Sequence, residues 1–211
     1  TYIPAVKSER VKTIEMGYKG ILSKKLYIDA SYYYSIYTDF IGYIIGFDKD
    51  PKKPDDKTYR KAFRVSANAR DIVTTQGFSI GLNYYFKQNY SISGNYTYAI
   101  LNERDSNDPL IPNFNTPPHK FNLSFGARNI KHFGYNVTYK WVHGFDYTGS
   151  PQFTGYIPSY GLVDAQVNYK FTGLNTLLKV GVSNILNNLH FEAYGAPFIG
   201  AVAYCSLNFE I

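Results

Sequence analysis

Aromatic side chains in the connecting segments are the residues of this chain best suited to chemistry, and that chemistry is non-covalent binding. The 211 residues include 22 Tyr and 15 Phe, and several of these rings lie outside any regular repeat. An exposed ring can stack on a sugar, a cyclic chelator or a peptide, or it can pack one loop against another. We predict ligand contact in the connections from Phe114, Tyr147, Phe153, Tyr156 and Tyr194.

Catalytic and metal-binding constellations are not predicted. The histidines (His119, His132, His143 and His190) lack the spacing of a metal site, and no nucleophile or phosphate-loop motif occurs. Acidic groups at 48–50 and 105–108 could offer oxygen atoms to calcium, but neither has the full spacing of a calcium loop. We therefore predict no catalytic residue, no metal and no cofactor.

The segments that must position these side chains alternate apolar and polar residues. In residues 91–100 the apolar side carries Ile92, Tyr96, Tyr98 and Ile100, and the polar side carries Ser91, Ser93, Asn95 and Thr97. Such alternation is typical of a β-strand. Nothing in the sequence supplies a second layer over the apolar faces, and no stretch approaches the ~20 apolar residues of a spanning helix. A transmembrane antiparallel β-barrel is therefore predicted, because it satisfies the backbone in lipid without helices.

We predict nine strands, joined alternately by short turns and long loops. They cover about 11–20, 26–46, a third strand ending near 87, 90–101, 118–129, 132–144, 159–171, 176–185 and 200–211. The third starts between 59 and 74, and we treat 59–87 as one strand with an irregular part around 68–71. Two strands in that segment would break the alternation of short and long connections that outer-membrane barrels show.

Strand parity assigns the side chains to faces. Tyr33, Tyr37, Asp39 and Tyr43 are predicted to line the upper interior, where they would contact a ligand held inside. On the opposite face, Tyr139, Trp141 and Tyr169 are predicted to lie at the membrane interface, where a ring can be half apolar and half wet.

The odd strand count predicts that residues 1–211 are the C-terminal part of a larger barrel domain, because single-chain bacterial barrels have an even number of strands. The alternation of connections places Ile211 in the periplasm and the long loops outside the cell. The net charge of +6 comes from dispersed basic residues, and the cluster at 49–64 is interrupted by acidic ones. That cluster is typical of a solvated loop, so no nucleic-acid partner is predicted.

Several segments in order resemble the C-terminal half of a TonB-dependent outer-membrane receptor. They are residues 11–20, 29–34 with 37–41, Thr75-Gln76-Gly77-Phe78, 116–123 with its Pro-His-Lys-Phe run, Val182-Ser183-Asn184-Ile185-Leu186-Asn187, and the alternating end at 204–211.

This resemblance implies a 22-stranded barrel with an N-terminal plug domain in the outer membrane of a Gram-negative bacterium. It implies active uptake of a scarce nutrient: a ferric chelate, haem, cobalamin, an oligosaccharide or a peptide. The implied partners are outer-membrane lipid, the plug and N-terminal barrel strands, and TonB with its inner-membrane motor proteins. A surface lipoprotein is a further candidate.

Two other classes are compatible with the sequence. A passive porin-like channel would lack a plug, so upstream sequence encoding one would exclude it. A structural or secretion-associated outer-membrane barrel would import nothing, and unimpaired growth of a deletion strain on every candidate nutrient would favour it.

Overall fold

The chain folds into antiparallel β-sheet in a computed structural model, which describes residues 4–48, 61–102, 108, 110–112, 114–150 and 152–209. In these ranges no helix is long and apolar enough to cross a membrane. The strands are β1 Arg10–Leu22, β2 Leu26–Thr38, β3 Ile41–Asp48, β4 Lys61–Asn68, β5 Val73–Phe86, β6 Tyr90–Leu101, β7 His119–Ile130, β8 Phe133–Val142, β9 Phe145–Thr148, β10 Thr154–Ile157, β11 Tyr160–Phe171, β12 Thr176–Ser183 and β13 Val202–Phe209.

A single nine-stranded sheet forms the wall, in the order β1-β2-β5-β6-β7-β8-β11-β12-β13. The predicted all-β antiparallel architecture is confirmed. The sheet does not close on itself, because β1 and β13 each pair with one neighbour and form its two edges. The chain is therefore part of a barrel wall.

The predicted continuous strand over 26–46 is wrong. β2 ends at Thr38, and Asp39 adopts a left-handed backbone with φ 54°. The Asn68 side chain donates to the Asp39 carbonyl at 2.6 Å, and the Ala69 N–H donates to the Phe40 carbonyl at 2.7 Å. These contacts fix the break, since few non-glycine residues adopt a positive φ without support. Beyond it, β3 and β4 pair with each other in a separate two-stranded sheet.

The neighbouring segments match the prediction in part. The irregularity expected around 68–71 is present, but the single strand predicted over 59–87 is wrong. β4 ends at Asn68 and β5 begins at Val73, and they belong to different sheets, because β4 pairs with β3 whereas β5 joins the wall. The segment 145–158, predicted to be one of the long connections, contains the hairpin of β9 and β10. Residues 49–60 of the charged run, the acidic group at 105–107 and Ile211 lie outside the described residues.

The pairing register places most polar side chains of the wall on one face. In the described part of the chain two ion pairs lie on this face: Lys19 Nζ is 3.2 Å from Asp29 Oδ2, and Lys140 Nζ is 2.5 Å from Asp164 Oδ2. Both join neighbouring strands. A face with hydrogen-bonded charges suits water or protein, whereas midplane Lys or Arg in lipid costs ~2–4 kcal/mol.

The opposite face carries two belts of aromatic rings. The belt nearer the long loops contains Phe78, Tyr96, Tyr98, Phe121, Tyr139 and Trp141. The belt nearer the short turns contains Tyr84, Phe86, Tyr90, Phe125, Tyr135, Phe133, Tyr169 and Phe171. Tyr90 and Tyr98 are separated by roughly 27 Å along β6 at a rise of about 3.4 Å per residue. At the strand tilt of about 35–45° in outer-membrane barrels, this separation corresponds to a height of roughly 19–22 Å, which is close to their apolar band of ~25 Å.

Candidate ligand-binding mouth

Long connections meet at one end of the wall, where they pack on one another. We call the described parts of residues 39–72, 110–117, 143–159 and 184–201 the loop cluster. Its base is a small core of Ala69, Val73 and Leu110, with Leu110 only 3% exposed. Tyr37 and Phe40 pack against this core with their rings edge to face, 5.4 Å apart. The cluster therefore has an apolar base of its own above the barrel wall.

The segment 110–116 links the two hairpins of the loop cluster. Tyr43 N donates to the Ile111 carbonyl at 3.2 Å, and Ile111 N donates back to the Tyr43 carbonyl at 2.8 Å. Thr148 N donates to Asn115 Oδ1 at 2.8 Å, while Asn115 Nδ2 donates to the Thr148 carbonyl at 3.0 Å. The β3–β4 and β9–β10 hairpins are therefore joined through one intervening segment.

Arg64 makes a second, direct link between the hairpins. Its guanidinium lies 3.9 Å from the centroid of the Tyr43 ring, and its Nη1 donates to the Gly149 carbonyl. Tyr43 is 2% exposed, and its hydroxyl has no hydrogen-bond partner among the described residues. The Tyr43 ring therefore packs against the Arg64 guanidinium and is not accessible to solvent.

The β9–β10 hairpin and the connection 184–201 interlock through glycines. Gly155 lies directly beneath the Tyr194 ring, and Gly195 lies beneath the Phe153 ring. A Cβ atom at either glycine would overlap the ring above it, and Gly195 also has φ 86°, which disfavours other residues. Phe191 extends this aromatic group, with its ring centroid 6.3 Å from Tyr194 and 5.5 Å from Phe198.

Asn184 ties the start of the same connection to the wall. This residue is 2% exposed with φ 52°, and its Nδ2 donates to the Asn188 carbonyl at 2.9 Å. Asn188 N donates to Asn184 Oδ1 at 2.9 Å, and Asp164 Oδ1 accepts from Asn184 N at 2.9 Å. Asp164 is itself paired with Lys140, so the polar face of the wall fixes the root of the loop.

The side chains predicted to bind ligand fall into two groups. Tyr147, Phe153 and Tyr194 come together in the loop cluster. The Tyr147 ring lies beside Gly149, where its Cε1 would be 3.1 Å from a Cβ atom, and Phe153 and Tyr194 each cover a glycine of the other's loop. Tyr156, in β10, is 54% exposed, and Phe114 is half-buried beside Asn115.

The second group, predicted to line the interior, lies in β2 or shortly after it. Tyr33 is half-buried on the polar face, with its ring against Gly77 of β5. Tyr37 packs into the small core, and Asp39 occupies the backbone break. Ligand contact by either group stays a prediction.

Sequence reasoning missed Arg64 and the glycines. Arg64 ends the charged run 49–64, which is typical of a solvated loop, so the local sequence did not indicate a role for it. Its hydrogen-bond partner, the Gly149 carbonyl, is 85 residues away along the chain. Glycines within two residues of an aromatic side chain (Gly149, Gly155 and Gly195) could have indicated these contacts, because a glycine often marks close approach of another group.

The loop cluster offers stacking surfaces, one fixed guanidinium and backbone groups, which together suit non-covalent recognition. No group of three or more His, Cys, Asp or Glu side chains placed to hold a metal ion occurs in the described parts of the chain.

Replacing Gly155 by valine should separate the interlocked loops, because the added side chain would overlap the Tyr194 ring. We expect roughly tenfold faster amide hydrogen exchange over 190–199 in the full-length protein, measured by mass spectrometry. Gly46→Val is the matched control, since a Cβ there meets nothing within 4 Å. Unchanged exchange in Gly155→Val would show that the interlock does not order this loop.

A two-faced antiparallel sheet with ring belts on its apolar face, and long connections gathered at one end, defines part of a transmembrane β-barrel. Residues 1–185 match the family described as TonB dependent receptor-like, beta-barrel. The chain belongs to the TonB-dependent receptor β-barrel family.

Solved structures share this fold. The copper transporter OprC is 17% identical with a TM-score of 0.76, over 97% of this chain and 32% of that one. The FrpB iron transporter from Neisseria meningitidis is 15% identical with a TM-score of 0.71, over 98% and 31%. The ferric-catecholate import receptor Fiu from K12 E. coli is 17% identical with a TM-score of 0.65, over 96% and 28%. The chain thus spans about a third of their length. A comparison with curated protein sequences gave no match.

Proposed function

We propose that this chain belongs to an outer-membrane receptor and active transporter that takes up a scarce nutrient with energy delivered by TonB. The observation that carries the proposal is the nine-stranded two-faced wall with its linked loop cluster, in a chain of the TonB-dependent receptor β-barrel family. The wall would cross the outer membrane of a Gram-negative bacterium, with its aromatic belts contacting outer-membrane lipid. The loop cluster would lie outside the cell and the C-terminus in the periplasm.

The open edges of the wall support further partners. Among the described residues, β1 and β13 each have no second neighbouring strand, and unpaired backbone groups are costly in lipid. We infer that N-terminal strands complete a 22-stranded barrel and that a plug domain fills it against the polar face. TonB and its inner-membrane motor proteins would act on that plug. A surface lipoprotein capping the loop cluster is a further candidate partner.

The names of the similar structures narrow the nutrient. They are described as a copper transporter, an iron transporter and a ferric-catecholate import receptor. Among ferric chelates, haem, cobalamin, oligosaccharides and peptides, we therefore favour a metal or metal chelate for this protein. Tyr147, Phe153, Tyr156 and Tyr194 would contact it from the loops, with Phe114 beside them and Tyr33, Tyr37 and Asp39 deeper. The buried Tyr43 would not contact it directly.

Growth and uptake test this function in the organism that carries the gene. Deleting the full-length gene should abolish high-affinity uptake of one radiolabelled metal or chelate, and the restored gene should recover it only where TonB is present. Uptake that persists without TonB would indicate a passive channel. Unimpaired uptake of every candidate nutrient in the deletion strain would contradict import and favour a structural or secretion-associated barrel.

A further inference from the structure

We propose that Arg64 is the anchor for an anionic group, a carboxylate or another oxyanion, of the ligand that enters the loop cluster. This inference rests on the proposed function and names a chemical requirement of its ligand. It concerns a residue outside the aromatic set that the sequence pointed to.

The guanidinium of Arg64 is held on two sides. The Tyr43 ring lies 3.9 Å below it, an arrangement in which the cation is attracted to the π-face. The Gly149 carbonyl accepts from Nη1 at one edge. A planar cation fixed in this way loses little further freedom when an anion binds, and such pre-organisation favours affinity.

The contacts of this guanidinium with the described residues leave most of its donors available. An arginine side chain carries five N–H donors in a fixed fork, and the Gly149 carbonyl accepts from one nitrogen. The residue is exposed to solvent, although the tyrosine beneath it is buried. The fork can therefore make paired hydrogen bonds to an oxyanion arriving from the solvent side.

Arg64 has no carboxylate partner among the residues that the structure describes. Elsewhere in the wall, Lys19 and Lys140 are each within 3.2 Å of an aspartate oxygen. A fixed cation that pairs with no carboxylate of the described residues, at the meeting point of two hairpins, is complementary to an incoming anion.

The aromatic side chains next to the guanidinium indicate which chemical group the ligand carries beside its anionic group. Gly149, which accepts from Arg64, also donates its N–H to the Phe153 carbonyl at 2.9 Å, and it lies beside the Tyr147 ring. Phe153 in turn covers Gly195 in the last connection. A ligand with one anionic group and a flat unsaturated or ring portion would match both features.

Citrate is the probe for this site, because it supplies carboxylates without requiring the nutrient to be known. The full-length receptor in detergent, titrated calorimetrically, should bind citrate, and Arg64→Gln should weaken binding at least tenfold. Arg64→Lys should be intermediate, since it keeps the charge and loses the fork. Arg128→Gln, at the opposite end of the wall, is the control for net charge and should bind as wild type.

Folding is checked separately. Tyr43→Phe keeps the ring under Arg64 and removes only the unpaired hydroxyl, so its citrate affinity should stay within about twofold of wild type. Each variant must keep the heat-dependent mobility shift of a folded barrel on gels. Absence of citrate binding in the wild type, equal affinity in Arg64→Gln, or an equal loss in Arg128→Gln would overturn the assignment. Nutrient uptake by the complemented deletion strain is independent of these titrations, so the proposed function can stand if Arg64 fails.

Discussion

Val137→Arg is expected to destabilise the inserted barrel by ~2–4 kcal/mol, the cost of a cation on the lipid face near the midplane. Val137 lies in the middle of β8, on the apolar face between the two aromatic belts, and is 43% exposed. Its backbone pairs with Phe125 and Ala165, so the substitution leaves the ladder intact. The measurement is a urea titration of the full-length protein folded into lipid vesicles.

Asn136→Arg provides the matched control one residue away. Asn136 faces the polar side, where it donates to Thr138 Oγ1 at 2.9 Å and lies opposite Gln166. An arginine there meets water or protein, and we expect a change of less than about 1 kcal/mol. A loss at position 136 equal to or larger than that at 137 would contradict the assignment of the faces.

Asn184→Ala should release the last connection of the loop cluster from the wall. It removes both side-chain hydrogen bonds to Asn188 and places alanine at φ 52°. Two net hydrogen bonds and a left-handed alanine together cost about 2–3 kcal/mol. Because each 1.4 kcal/mol is a factor of ten, hydrogen exchange over 185–199 should quicken by roughly 100-fold.

Two further variants separate the causes. Asn184→Gly tolerates the backbone conformation but still loses the hydrogen bonds, so it should recover about 1 kcal/mol of the loss. Asn175→Ala, at the other end of β12, also substitutes a left-handed asparagine, with φ 45°, and should leave this loop unchanged. Equal hydrogen exchange over 185–199 in Asn184→Ala and in the wild type would show that Asn184 does not anchor this loop.

The wall could be predicted because its two faces meet different surroundings, and alternation records that difference along every strand. The break at Asp39 could not, because apolar residues continue through Ile41 and Tyr43 after the strand has ended. The left-handed residue there is held by the Asn68 side chain, a contact 29 residues away that local pattern cannot show.

Only the aromatic part of the candidate site was predictable. The sequence indicated rings in the long connections, and Tyr147, Phe153 and Tyr194 lie together in the loop cluster. Whether they bind ligand stays a prediction. Which other residues join them depends on how loops far apart in sequence pack. The partners Arg64 and Gly149, and the pairs Gly155–Tyr194 and Gly195–Phe153, are set by that packing. Tyr43 was predicted to line the interior because the strand over 26–46 was expected to be continuous. β2 ends at Thr38, so its alternation of faces does not extend to Tyr43, and the Tyr43 side chain is buried.

The separation of β3 and β4 from the wall has a consequence for how such a protein can diversify. The wall register between β2 and β5 runs from Leu26–Tyr84 to Tyr37–Val73 and is complete before the hairpin begins. A change in the length of that hairpin therefore shifts no residue between the lipid and polar faces, whereas a one-residue slip within the wall would exchange them all. Mutations can therefore accumulate in the hairpin without exchanging the two faces of the wall. Under the proposed function, selection on ligand recognition and selection on membrane insertion would act on different stretches of sequence.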